Sequence, residues 1–239
     1  MASMEGLTHY LMERFRTASP PADVQTSHSF LKTRAWEGNS HIGNRPIQAT
    51  FYYDWIRSIQ HVDSSTQICE IGMNGGHSAF IFLAALSGQK NLDIHLTMFD
   101  FAHYAYSEWA VNYINTLYPG MFTLHKGDSR SSVPESTAEN AKMGVLCDVF
   151  SVDGDHTYEG ALVDIKNAAK ATRKGGFIIL DDMNPGGPTR KAFDEVVKDG
   201  VLREPKCVED VFMRVGYENR FDETNARELT MSWCTAKVV

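Results

Sequence analysis

The 239-residue chain is short of positive charge: 23 Lys and Arg stand against 30 Asp and Glu, for a net charge of -7 and a pI near 5.7. A surface of that sign repels phosphate backbones, so no nucleic-acid partner is expected. Long apolar runs are also lacking. No stretch approaches the roughly eighteen apolar residues that span a bilayer, so no membrane association is expected. The N-terminus has Glu5 and no apolar core after a basic start, which argues against a signal peptide and for a cytoplasmic location. Cysteine is scarce. Cys69, Cys147, Cys207 and Cys234 are widely spaced, no C-x-x-C occurs, and reduced, buried thiols are the expectation. The dinucleotide fingerprint G-x-G-x-x-G is absent as well: the turn that comes nearest to it has Asn74 where glycine is required. Internal repeats and low-complexity tracts do not occur.

What is present is a strand–turn–helix unit around which the chain is organised, Ile68-Cys69-Glu70-Ile71-Gly72-Met73-Asn74-Gly75-Gly76-His77-Ser78. Gln67 to Ile71 has the apolar beat of a strand. Ser78 opens the run Ala79 to Leu86, where Phe80, Leu83 and Ala84 share a helical face. Such a unit points backbone N–H groups and the positive helix end at the mouth of a sheet.

Before it, Pro46 begins a helical pattern in which Ile47, Phe51, Trp55 and Ile59 repeat every four residues. Residues 1–45 read as a helical and loop segment that covers or braces the site, and 46–239 as one domain. After it come a second strand, Leu92 to Phe99, ending at Asp100; a helix from Ser107 to Leu117 with Trp109, Tyr113 and Leu117 on one face; and a third strand, Met121 to His125. Ser131 to Lys142 reads as a short helix and loop. Asp148 to Val152 is a fourth strand, followed by a helix from Ala161 to Ala171 that Gly175-Gly176 would stop. Phe177 to Leu180 is apolar throughout, as a strand buried on both faces should be. Thr189 to Lys198 reads as a helix, and Cys207 to Tyr217 and Leu229 to Val238 as a terminal hairpin. Strands alternating with helices give an α/β fold: a Rossmann-like, doubly wound sheet, mostly parallel with an antiparallel C-terminal strand.

The pattern Glu70-x-Gly72-x-x-x-Gly76 resembles the first motif of the class I S-adenosylmethionine (SAM) methyltransferases, with Asn74 in place of the middle glycine. Asn tolerates positive φ better than most residues. Val152-Asp153-Gly154-Asp155-His156-Thr157-Tyr158-Glu159, then Gly175-Gly176 and Asp181-Asp182, is similar to the metal-dependent small-molecule O-methyltransferases, in particular those that act on macrolide and aminocoumarin sugars. The resemblance covers roughly residues 67–182. It implies a SAM site at Glu70, Gly72, Asn74, Gly76 and Ser78, with Asp100 on the ribose, Phe101 against the adenine, Asp128 and Ser129 at the adenine amino group, and Asp153 alongside. It implies Asp153, Asp181 and Asp182 as ligands of Mg²⁺ (or Mn²⁺ or Ca²⁺), and His156 as the base, with Asp155 its rival. The residue types alone support part of this. Carboxylates crowded at neighbouring strand tips repel one another and recruit a cation, and oxygen donors with no nearby cysteine suit a hard one. The same residues read without a ligand are acidic turns at helix N-termini, where carboxylates are favourable anyway.

The function expected is therefore SAM- and cation-dependent methylation of a hydroxyl on a small molecule, a sugar-like or phenolic vicinal diol. A small-molecule acceptor is the partner, and self-association into a homo-oligomer is compatible with it. The competing readings are a metal-independent methyltransferase acting on nitrogen or another nucleophile, a NAD-binding oxidoreductase, and a non-catalytic binding module.

Overall fold

The computed structural model describes residues 46–59, 65–87, 93–214 and 227–239. The expected N-terminal segment 1–45 lies outside them. The described helices are α1 (Pro46–Ser58), α2 (His77–Ser87), α3 (Ala105–Leu117), α4 (Ser129–Lys142), α5 (Tyr158–Ala171) and α6 (Pro188–Lys198). The strands are β1 (Ser65–Ile71), β2 (Asp93–Asp100), β3 (Phe122–Lys126), β4 (Cys147–Val152), β5 (Thr172–Leu180), β6 (Leu202–Arg214) and β7 (Arg227–Val238).

The strands form one seven-stranded sheet in the order β3-β2-β1-β4-β5-β7-β6. Neighbours from β3 to β5 pair in parallel, and β7 is antiparallel to both β5 and β6. The expected mostly parallel sheet with one reversed strand is what forms. Successive side chains on a strand point to opposite faces, so each apolar strand feeds two cores. On one face Ile68, Leu96, Met98, Val149 and Ile179 pack with α1, α2 and α3. On the other Ile71, Phe99, Phe150, Ile178 and Leu180 pack with α5, α6 and Val133 of α4. Ile178, Ile179 and Leu180 have no exposed surface, as their unbroken apolar run requires.

Several local expectations need correction. On α1 the buried face is Gln48, Ala49, Tyr52, Tyr53 and Ile56, while Ile47 is exposed. On α3 the buried residues are Tyr106, Ala110 and Ile114, while Leu117 is exposed. Gln48, Tyr52 and Ile56, and Tyr106, Ala110 and Ile114, keep an i, i+4 spacing one position further round each helix, and Phe51, Trp55, Trp109 and Tyr113 pack half-buried beside them. The glycines do not stop α5. It ends at Thr172, whose hydroxyl donates to the Ala168 carbonyl (2.7 Å), and Gly175 (φ 76) lies inside β5, where the register with β4 is irregular. The thiols are not free either. Cys69 pairs with Cys147 across β1 and β4, and Cys207 with the opposed Cys234 across β6 and β7.

Candidate active site

The strand order reverses between β1 and β4, and the C-terminal ends of the parallel strands open there into a cavity of about 730 Å³. Backbone bonds carry the parallel ladder past the strand ends: Gly72 N–H donates to Phe99 O (3.0 Å), Asp153 N–H to Ile71 O (2.9 Å) and Asp181 N–H to Val152 O (3.1 Å). The tips of β2, β1, β4 and β5 therefore stand side by side. Gly72 has φ +90, and a Cβ there would overlap the Asp153 carbonyl. Only glycine lets the β1 exit lie this close to the β4 exit.

At the β1 end, Asn74 (φ 47) and Gly76 (φ 75) make the turn, and Gly76 N–H closes it onto Met73 O (2.7 Å). Gly72, Asn74 and Ser78 line the cavity. Glu70 lies beneath, wholly buried. Its Oε1 accepts from the Ser78 hydroxyl and its Oε2 has no hydrogen-bond partner among the described residues. Burial pushes the Glu70 carboxyl from 4.5 up to about 8, against the lowering by Ser78 and with help from Asp153 and Asp100. At neutral pH it is the protonated acid.

Asp100 ends β2 and is tied to this turn. Its Oδ2 accepts from Asn74 N–H (2.9 Å) and its Oδ1 from Ala102 N–H (2.6 Å). Phe101 beside it is 59% exposed at the cavity wall. Asp128 and Ser129 line the far side, after β3. Asp128 Oδ1 accepts from Arg130 N–H (2.9 Å), and the Ser129 hydroxyl donates to Asp164 Oδ1 (2.7 Å). Asp164 is a site residue that the motifs do not contain. It is 1% exposed on α5, and its other oxygen accepts from Asp155 N–H (3.2 Å), so it ties the β3 tip to the β4 tip. The signal for it is an acid within the apolar stripe of Ala161, Ile165 and Ala168.

The acidic end of the cavity comes from β4 and β5. His156 Nε2 lies 3.4 Å from Asp153 Oδ1 and 3.2 Å from Asp182 Oδ2. Donor atoms of Asp153, His156 and Asp182 all fall within 4.8 Å of one another, a spacing that suits a metal ion. The hydrogen bond to Asp153 pushes the His156 imidazole up to about 9, and the charges of Asp153, Asp182 and Asp181 add to it. Burial raises the Asp182 carboxyl, as does Asp153. Asp182 itself has φ +55, and its N–H donates to Asp181 Oδ1 (2.8 Å). This turn sends two consecutive carboxylates in different directions. Asp182 faces His156, while Asp181 turns towards α1, outside the group of three. Both Asp181 oxygens accept from Gln48 Nε2, each at 2.9 Å. Asp155 faces outward: Oδ2 accepts from Arg130 (2.9 Å) and Oδ1 from Thr157 N–H (2.9 Å). The Thr157 bond chiefly holds its carboxyl below the usual range.

Residues 69–183 match the family model described as "Methyltransferase domain". That stretch is a methyltransferase domain. It holds every site residue described above except Gln48, and its bounds run from β1 to the turn after β5. No curated protein matches the chain. Among solved structures, the O-methyltransferase TomG of Streptomyces achromogenes, involved in tomaymycin synthesis and in complex with SAM, is similar with a TM-score of 0.55. The match covers 100% of both chains at 14% identity. An O-methyltransferase from Bacillus cereus, in complex with S-adenosylhomocysteine (SAH), gives 0.53 over 97% of this chain and 96% of its own at 15% identity. CalS11, a TDP-rhamnose 3'-O-methyltransferase of calicheamicin biosynthesis, gives 0.52 over 85% and 90% at 18%. These likenesses show the class I methyltransferase fold around the domain.

Proposed function

We propose that the chain transfers a methyl group from SAM to a hydroxyl of a small molecule, with a divalent cation at the acidic end of the same cavity. One observation carries this: Gly72 packs against the backbone of Asp153, so the glycine turn and the carboxylate–imidazole group share one cavity. Two solved structures of the same fold were determined with SAM or SAH, which supports the choice of cofactor.

SAM would lie over Gly72 to Gly76 beside Asn74 and Ser78, its nucleoside between Asp100, Phe101, Asp128 and Ser129, and would supply an electrophilic sulfonium methyl. The glycine turn fits it: Gly72 brings backbone to the cavity, and the buried Asn74 Oδ1 has no hydrogen-bond partner among the described residues. The cation would be held by Asp153 and Asp182 with Asp181 behind them; carboxylates suit Mg²⁺ or Mn²⁺, and such an ion lowers the pKa of an acceptor hydroxyl and offsets the field that holds His156 at about 9. His156, neutral under those conditions, would take the hydroxyl proton at Nε2. The rival base Asp155 is a poorer acceptor, because the bonds from Thr157 N–H and Arg130 hold its carboxyl below the usual range. Gly72 and Asp100 would contribute by fixing where SAM lies, and catalysis by positioning alone is worth several orders of magnitude.

A hydroxyl next to a second oxygen, in a sugar or a catechol-like ring, fits two-point attachment at such an ion. The test is transfer of radiolabelled methyl from SAM to a panel of vicinal diols, before and after EDTA. Transfer that stops on chelation and returns with Mg²⁺ supports the whole proposal. Transfer that is indifferent to EDTA would reject the cation and favour the metal-independent reading, and binding of NAD rather than SAM would reject both.

A further inference from the structure

Gln48 lies outside the strand-tip loops, on α1, yet it grips an acid of the site. It lies in the first turns of α1, 133 positions before Asp181, and has no exposed surface. Its Nε2 donates to both Asp181 oxygens at 2.9 Å and lies 3.4 Å from the Tyr52 hydroxyl, while its Oε1 has no partner among the described residues. A buried amide oxygen without a partner costs free energy. The arrangement therefore sacrifices one end of the side chain so that the other end holds Asp181.

From this we infer that Gln48 is a positioning residue: it fixes Asp181 as an outer carboxylate and leaves it one free lone pair for a cation. The inference rests on the cation reading above. A carboxylate oxygen accepts at two lone pairs. Asp181 Oδ1 receives both Gln48 Nε2 and Asp182 N–H, and is filled. Among the described residues Oδ2 receives only Gln48, so one position on Oδ2 remains. A neutral amide suits this task. Lys or Arg in its place would neutralise the carboxylate and compete with the ion, and an apolar residue would leave the side chain free to turn away. Metal-ligating carboxylates are themselves commonly oriented by hydrogen bonds of this kind.

The base of α1 is rigid enough to aim such a contact. Tyr52, one turn on, stacks on Phe82 (centroids 5.8 Å, planes 6° apart) and meets Trp233 edge-on at 6.5 Å. Phe51 packs on Trp233 at 5.5 Å, and Trp233 on β7 is wholly buried. Helix α1 is thus clamped between α2 and the sheet, and belongs to the site rather than merely covering it.

The test uses Gln48→Leu, which keeps bulk and removes the donor, with Gln48→Met as a second variant if the first fails to fold. Free Mn²⁺ is measured by electron paramagnetic resonance during titration, and SAH binding by calorimetry. The expected result is a 10- to 100-fold weaker Mn²⁺ affinity, the usual loss for an outer-shell partner, with SAH affinity and the KM for SAM within about twofold. Mn²⁺ affinity unchanged in a folded variant overturns the inference while the cation reading stands. No Mn²⁺ uptake by the parent chain overturns both.

Discussion

Replacing Glu70 with Gln tests the electrostatics of the buried floor. Glu70 is enclosed between the sheet and α2, and burial raises its carboxyl to about 8 in the folded chain. In the unfolded chain it titrates near 4.5. Between those values the folded state holds one proton more than the unfolded state, so this group lowers stability as pH rises from 4.5 to 8 and has no further effect above. Each pH unit is worth ~1.4 kcal/mol, so from pH 5 to pH 8 the group removes at most about 4 kcal/mol. Gln has the same shape and does not titrate. Urea unfolding of parent and Glu70→Gln at pH 5, 6, 7 and 8 should show the variant gaining on the parent by roughly 1 kcal/mol or more per unit. All other titrating groups cancel in that difference. Two stability profiles that run parallel from pH 5 to 8 would refute the claim that Glu70 is kept neutral.

Three further outcomes follow from the same geometry. His156→Ala should lower turnover by about 10²- to 10⁴-fold, the span of general-base effects, with SAH affinity unchanged; full turnover would remove His156 from the chemistry. Gly72→Ala should destabilise the fold by about 3 kcal/mol or more and abolish SAH binding, because the added methyl collides with the Asp153 carbonyl at a left-handed backbone; a normal urea midpoint would contradict the close β1–β4 approach. Reducing the Cys69–Cys147 bridge, which joins residues 78 positions apart, should lower stability by up to about 4 kcal/mol in urea with a phosphine reductant present; an unchanged midpoint would argue against the pairing.

The strand-tip chemistry was legible because it sits in short contiguous motifs. Glu70 to Ser78 and Asp153 to His156 each declare a strand, a turn and a helix within a few residues, and Asp181-Asp182 follows an unmistakable buried strand. Contacts made by folding were not legible. Nothing local marks Gln48, since its partner is 133 positions away and its neighbours look like any amphipathic helix. The bridge between Cys69 and Cys147 depends on β1 and β4 being neighbours, which strand order decides and spacing does not. On α1 and α3 the helical spacing was legible but its phase was not, since the buried positions lie one residue beyond Ile47, Phe51 and Trp55 and beyond Trp109 and Tyr113. Ala49 and Ala110 are buried, while Ile47 and Leu117 are exposed. Asp164 was visible in principle, as an acid on an apolar face, but its role needs the β3 and β4 tips beside it.

The central claim is that one cavity at the strand tips receives the nucleoside cofactor. Calorimetric titration of SAH into the protein tests it most directly, with NAD as the control. Saturable binding of one SAH per chain, absent for NAD and weakened in Asp100→Ala, is the expected result. No saturable heat with SAH, or heat with NAD instead, would contradict the account.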